Sequence, residues 1–176
     1  ELVTAADREG WQVALHAIGD RAVAMALDAF EAAARRNGRQ DARHRIEHVQ
    51  VVRPADFPRF AALGVIASMQ PCHVLTDSRW AHRRVGRARL MAGGYPWRSL
   101  LEAGATLVIG TDWPVEPLDP LANLYAAVAR RRTDGEPVHG WFPAEALSAE
   151  QALRAYTSGS AFAAFAEPRR GTLKPG

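Results

Sequence analysis

Apolar residues in this chain come in short blocks that end on Gly, Pro or a polar residue, and the spacing inside them switches between strand and helix periods. Residues 11–16 alternate too little for an exposed strand and predict a buried parallel one. Gly19-Asp20 turns the chain, with Asp20 as N-cap. Val23, Leu27, Phe30 and Ala34 then trace one stripe at helical spacing, stopped by Gly38. Residues 45–49 predict the next strand, Pro54 a first helical turn, and Phe60 and Leu63 a short helix ending at Gly64. Residues 65–69 form a third strand, Pro96 to Glu102 a helix closed by Gly104, and Ala105 to Gly110 a fourth strand. Leu121, Leu124, Tyr125 and Val128 line a further helix, and Ser148-Ala149-Glu150-Gln151 reads as a capping box opening the last one, which carries Leu153 and Tyr156. Residues 70–93 show no clear period, which predicts a lid or binding loop. A βα rhythm repeated four times places the fold in the α/β class.

Length and composition narrow this picture. A chain of 176 residues can bury a sizeable core, but a closed eight-fold barrel typically needs about 250. The opening Glu1-Leu2-Val3-Thr4-Ala5-Ala6 reads as the middle of a helix, and the closing Gly171-Thr172-Leu173-Lys174-Pro175-Gly176 as a turn into another strand. The expectation is a piece of a longer protein. Net charge is +3, Lys174 is the one lysine, and Arg130-Arg131-Arg132 sits where cations complement a helix dipole. With no basic stripe carrying interleaved aromatics, no nucleic-acid partner is expected. Cys72 is alone, so no internal disulfide forms and a cytoplasmic location is the default. No apolar run approaches the roughly 20 residues that span a bilayer, so no membrane partner is expected.

Three strand-like blocks end on potential metal ligands: His16 after Val13-Ala14-Leu15, His48 after Arg45-Ile46-Glu47, and Asp112 after Leu107-Val108-Ile109-Gly110-Thr111. A lone histidine at such a place is ordinarily a core residue bonded to nearby backbone. Repetition one βα unit later, and a carboxylate at the end of the fourth strand, favour a ligand set instead. Ligands at the C-terminal ends of parallel strands face one barrel mouth, and imidazole nitrogens with carboxylate oxygens suit zinc and similar divalent ions. In hydrolysis Asp112 would be the base that takes the proton of water, while His16 and His48 hold the ion. Arg45, Trp80 and His82 are substrate-facing candidates. Against this, Arg45 or Glu47 can pair within the barrel layers, and Trp80, in the lid region with His73, Asp77 and His82, can simply cover core. His44 reads as a surface residue, His139 as structural or exposed, and Trp113-Pro114 as shaping a turn. Cys72 lacks a suitably spaced histidine to activate it as a nucleophile.

His16-Ala17-Ile18-Gly19-Asp20-Arg21-Ala22, His44-Arg45-Ile46-Glu47-His48, Ser68-Met69-Gln70-Pro71, Gly110-Thr111-Asp112-Trp113-Pro114-Val115 and Ala155-Tyr156-Thr157 together resemble the YtcJ-like branch, amidohydrolase family 3, of the metal-dependent amidohydrolases. The resemblance runs over nearly the whole chain. It implies a distorted (β/α)8 TIM barrel of which residues 1–165 supply strands five to eight, with His16 on strand five, His48 on six and Asp112 on eight. Residues 166–176 would begin the return to a small β-sandwich domain. Family members also carry a His-x-His pair on strand one and a carboxylated lysine on strand four. This chain has no His-x-His, and Lys174 lies in its tail.

The resemblance implies a zinc-dependent hydrolase, with one or two ions, acting on non-peptide carbon–nitrogen bonds of small molecules such as N-substituted amides or formamides. The alternative is a truncated fragment without catalysis of its own. Four strands with outer helices would leave an apolar inner face (Leu15, Ile46, Ile66, Val108) and two strand edges open, which predicts self-association into a homo-oligomer.

Overall fold

Each strand–helix repeat expected from the apolar pattern is present in the computed structural model, which describes residues 1–38 and 41–173. Lys174 and the end of the expected return to a β-sandwich lie outside the described residues. In chain order the elements are α1 (Leu2–Arg8), β1 (Ala14–Ala17), α2 (Asp20–Asn37), β2 (Arg45–His48), α3 (Phe57–Leu63) after a 3-10 turn at Pro54–Asp56, and β3 (Ile66–Met69). Then follow α4 (His73–Asp77), α5 (Ala81–Val85), α6 (Arg87–Gly93), α7 (Trp97–Glu102), β4 (Leu107–Ile109), α8 (Pro120–Ala129), α9 (Ala149–Arg154) and α10 (Ser160–Ala163). The chain divides into two compact units: Glu1–Ser68 with Ala92–Leu107, and Met69–Met91 with Val108 onward.

β1, β2 and β3 up to Ser68 belong to the first unit and β4 gives it only Leu107, with Val108 and Ile109 in the second; the strand order is β1-β2-β3-β4 among the described residues. β1 pairs with β2, and β2 with β3, in parallel, Leu15 opposite Ile46 and Ile46 opposite Ala67. Side chains alternate faces along a strand, and partners in register share one. His16 therefore shares a face with Ala14, Arg45 and Glu47, while Leu15 lies on the other face with Ile46. This corrects the expected apolar inner face: Ile46 and Ile66 are buried core residues and Leu15 is half-buried. The more open face is the polar one, with Ala14 and His16 exposed and Arg45 and Glu47 half-buried. β1 is accordingly not the buried strand its composition suggests, because as an edge strand it has a neighbour on one side only.

Val23, Leu27 and Phe30 of α2, Phe60 of α3 and Trp97 and Leu100 of α7 supply the core of this unit, each at 2% exposure or less. Burial of each such side chain stabilises by about 1.5–3 kcal/mol. The α2 stripe continues through buried Ala33, with Ala34 exposed. Gly19, not Asp20, is the N-cap, and Gly38 ends the helix in the left-handed region at φ 63°. Arg59 of α3 ties the helices together, donating to Asp28 at 2.7 Å and Glu31 at 2.9 Å on α2 and to Asp56 at 3.1 Å. Gly93 permits a close backbone approach: the Val52 amide donates to its carbonyl at 2.9 Å, and a Cβ there would stand 1.8 Å from the Val52 oxygen.

His44 is not on the surface. It is buried, its Nε2 lies 3.0 Å from Asp7 Oδ1, its Nδ1 accepts from the Val13 amide at 3.1 Å, and its ring stacks on Phe30 at 4.9 Å. Because Nδ1 is the acceptor, Nε2 carries the proton donated to Asp7. The sequence conceals this pair because its members are 37 positions apart.

Residues 70–93, all but Ala92 and Gly93 in the second unit, are not irregular: they hold α4, α5 and α6. Helices of one or two turns are too short for an apolar stripe to repeat, so no period registers. The Asp119 side chain caps α8 by accepting from the Leu121 amide at 2.9 Å. The capping box at Ser148–Gln151 forms as expected. The last helix departs from the regular pattern through a π-helical turn at Ala155–Gly159 before α10. Val108, Ile109, Ala126, Ala127, Leu147 and Ala152 are buried in this unit's core. Arg130 stands at the helix end expected of the basic triplet, as the C-cap of α8, but not on the surface. It is fully buried at the C-terminus of α8, and its Nε donates to the Trp141 carbonyl at 2.6 Å. No helix among the described residues is long and apolar enough to cross a membrane.

Candidate metal-binding residues

In the first unit, β1 delivers His16 just before the turn at Gly19, and β2 ends on His48. His16 is exposed and His48 buried, and their rings meet edge-on with centroids 4.4 Å apart and planes at 68°. Regular strands would hold these two side chains on opposite faces, since the register partner of His48 is Ala17. The backbone resolves this. His48 has φ 76° and the following Val49 φ 51°, both in the left-handed region. For a β-branched residue that is a rare and strained conformation. It is held by amides donating to carbonyls, Val49 to Ala17 at 3.1 Å and Val51 to Ile18 at 2.9 Å. The break in the extended chain brings the second imidazole to the first, and two imidazoles so paired are a donor set suited to a divalent ion.

Arg45 is brought to Glu47 at 2.5 Å and also donates to Gln12 Oε1 at 3.2 Å. The Arg45–Glu47 pair is thus formed within the sheet face.

In the second unit, β4 leads through Gly110-Thr111 to Asp112, again in the left-handed region at φ 64°. The Asp112 carboxylate is about one-third exposed (34%), and its Oδ2 lies 3.3 Å from His73 Nε2. The other ring nitrogen of His73 lies 3.3 Å from Glu116 Oε1. A neutral imidazole donates from one nitrogen only, so His73 can serve one of these carboxylates at a time unless it is protonated. His73 and Glu116 are the residues that sequence spacing missed. The available signals were the histidine shortly after Ser68-Met69-Gln70-Pro71 and an acid four positions beyond Asp112.

The base of α4 is anchored from α8: the Cys72 amide donates to Asn123 Oδ1 at 3.0 Å. Burial, with the negative charge of Glu116 and Asp119, pushes the Cys72 thiol up to about 11. It stays protonated near neutrality, in keeping with its rejection as a nucleophile. Burial likewise raises the Tyr156 phenol, with the neighbouring Cys72 adding to the shift and the Asn123 side chain opposing it. Trp80 is 47% exposed as the N-cap of α5. His82 lines a cavity of about 280 Å³ with Arg87, Trp141 and Phe142. His139 is exposed.

A sequence profile of the amidohydrolase family matches residues 1–176. Protein LONG AFTER FAR-RED 3 of Arabidopsis thaliana is 42% identical over 172 residues, covering 98% of this chain and 29% of that protein. N-substituted formamide deformylase of Arthrobacter pascens is 29% identical over 180 residues, all of this chain and 32% of the enzyme. The crystal structure of an uncharacterized metal-dependent hydrolase of Pyrococcus furiosus superimposes with a TM-score of 0.79 at 37% identity, covering 99% of this chain and 34% of that one. The chain therefore spans about a third of the length of the relatives it matches.

Proposed function

This chain belongs to the amidohydrolase family, and from that premise we propose that its protein is a zinc-dependent hydrolase of non-peptide carbon–nitrogen bonds, with N-substituted amides and formamides as substrates. The observation that carries the reading is the His16–His48 ring pair, created by left-handed backbone at the end of β2. A regular strand end would not bear that strain without a use for it. The likeness to a formamide deformylase supports the substrate class, and the likeness to a metal-dependent hydrolase supports the ion.

In this reading His16, His48 and Asp112 are protein ligands, and their nitrogen and oxygen donors fit zinc. A bound divalent ion supplies Lewis acidity to the substrate carbonyl and lowers the pKa of water. The Asp112 carboxylate takes the proton of the attacking water and passes it to the leaving nitrogen, so that the carbon–nitrogen bond breaks to a carboxylic acid and an amine. With its proton on Nε2, His73 donates to Asp112 Oδ2 and leaves Oδ1 for that proton. Residues 1–165 would supply strands five to eight of a (β/α)8 barrel, with 166–176 leading toward a β-sandwich domain. The neighbouring order β1-β2-β3-β4 accords with this. The remaining ligands would come from outside this chain, which alone would be inactive.

The test uses the full-length protein. Metal analysis should find a divalent ion, hydrolysis of an N-alkylformamide should stop on chelation, and added zinc should restore it. Full activity in metal-free protein would overturn the reading.

A further inference from the structure

The cavity lined by His82, Arg87, Trp141 and Phe142 lies wholly within the second unit, and none of these residues is a proposed metal ligand or the proposed base. One wall is aromatic. Trp141 and Phe142 have ring centroids 4.7 Å apart and planes inclined at 42°. The backbone beneath them is clamped twice to one residue: the Trp141 amide donates to the Arg130 carbonyl at 2.8 Å, and the Arg130 guanidinium donates to the Trp141 carbonyl at 2.6 Å. Arg130 has no exposed surface, and Phe142 is held in the left-handed region at φ 50°. A bulky residue keeps such a conformation only where its surroundings dictate it. The aromatic wall is therefore preorganised.

The facing residues are of another kind. His82 lies on α5 and Arg87 opens α6, both are exposed, and neither side chain makes a hydrogen bond or ion pair among the described residues. That distinguishes Arg87 from Arg45, Arg59 and Arg130, whose guanidiniums are all engaged. A free guanidinium beside an aromatic wall is suited to a flat ligand bearing a carboxylate: the ring lies against Trp141 and Phe142, and the two oxygens meet the planar fork of Arg87. The His82 ring offers a further N–H donor. The volume, about 280 Å³, is at the lower limit of ordinary ligand pockets and suits a single ring.

We propose that this cavity is a binding site for small planar carboxylic acids of the aromatic class, recognised by ring contact with Trp141 and Phe142 and by charge at Arg87. The assignment is independent of the hydrolase reading. Its test is calorimetric titration of the full-length protein with benzoate, with acetate, cyclohexanecarboxylate and benzamide as probes lacking one feature each. Benzoate should saturate one site and bind at least about tenfold tighter than the three controls, since a charge-assisted hydrogen bond alone accounts for a factor of that order. Arg87→Gln, an exposed position, should leave the melting temperature unchanged and weaken benzoate about tenfold. Trp141→Leu should weaken benzoate severalfold without affecting acetate. Absence of saturable benzoate binding, equal binding of acetate, or an unchanged benzoate affinity in Arg87→Gln would each overturn the assignment, whatever the protein's hydrolytic activity proves to be.

Discussion

The imidazole of His48 stands edge-on to that of His16, 4.4 Å between centroids, although the β1–β2 register pairs His48 with Ala17. A φ of 76° at His48 makes the difference. If the pair holds an ion, His16→Asn and His48→Asn in the full-length protein should each weaken metal binding by more than the roughly 10–100-fold lost with an outer-shell partner. Activity should fall in proportion to metal content, and metal analysis across a chelator series checks this.

Asp112→Asn separates the two roles of the carboxylate. The side chain keeps its shape but cannot accept the water's proton. With metal content measured and matched, kcat should fall by about 10²–10⁴-fold while KM changes little. A near-normal kcat in the metal-loaded variant would place the base elsewhere.

Asn123 is fully buried and receives the Cys72 amide at 3.0 Å. Asn123→Ala leaves that amide without its acceptor and should cost about 1–3 kcal/mol for the lost partner. Denaturant unfolding reads the loss. Asn123→Asp, which retains the acceptor oxygen, should restore part of it.

Gly93→Ala sets a methyl group against the Val52 carbonyl oxygen, 1.8 Å away if nothing moves. The neighbour is backbone and cannot swing aside. A destabilisation of about 1–3 kcal/mol or more is expected, read as a lower unfolding midpoint. The same change at Gly19, where the added Cβ would meet nothing within 4 Å, is the control.

Asp56 supplies a pH-dependent contribution. Burial alone would raise its carboxyl, but hydrogen bonds from Arg53 at 2.6 Å and Arg59 at 3.1 Å outweigh burial and hold it below the ordinary carboxylate value. A depressed native pKa stabilises above the unfolded value, near 3.9, and that stabilisation fades as pH falls through the native one. Wild type should therefore exceed Asp56→Asn in stability at neutral pH, and the gap should narrow below about pH 4. Unfolding curves between neutral and acid pH measure it.

What the sequence by itself determined is local or periodic. The α2 stripe from Val23 to Phe30, its stop at Gly38, the capping box at Ser148–Gln151 and the strand blocks ending near His16, His48 and Asp112 all depend on neighbours within a few positions. The tertiary structure decided what depends on distance along the chain or on a broken rule. His44 is buried because Asp7, 37 residues earlier, returns to meet it. Arg130 is a buried clamp because Trp141 folds back onto the end of α8. Glu116 gains meaning only once His73 reaches it across 43 positions of sequence, and α4 to α6 are too short to announce themselves by period. The polar face of β1 and β2 follows from parity counted from His16, and the His16–His48 meeting follows from a backbone torsion that breaks that parity. Composition encodes burial and period, whereas a single left-handed residue is selected by the contacts around it.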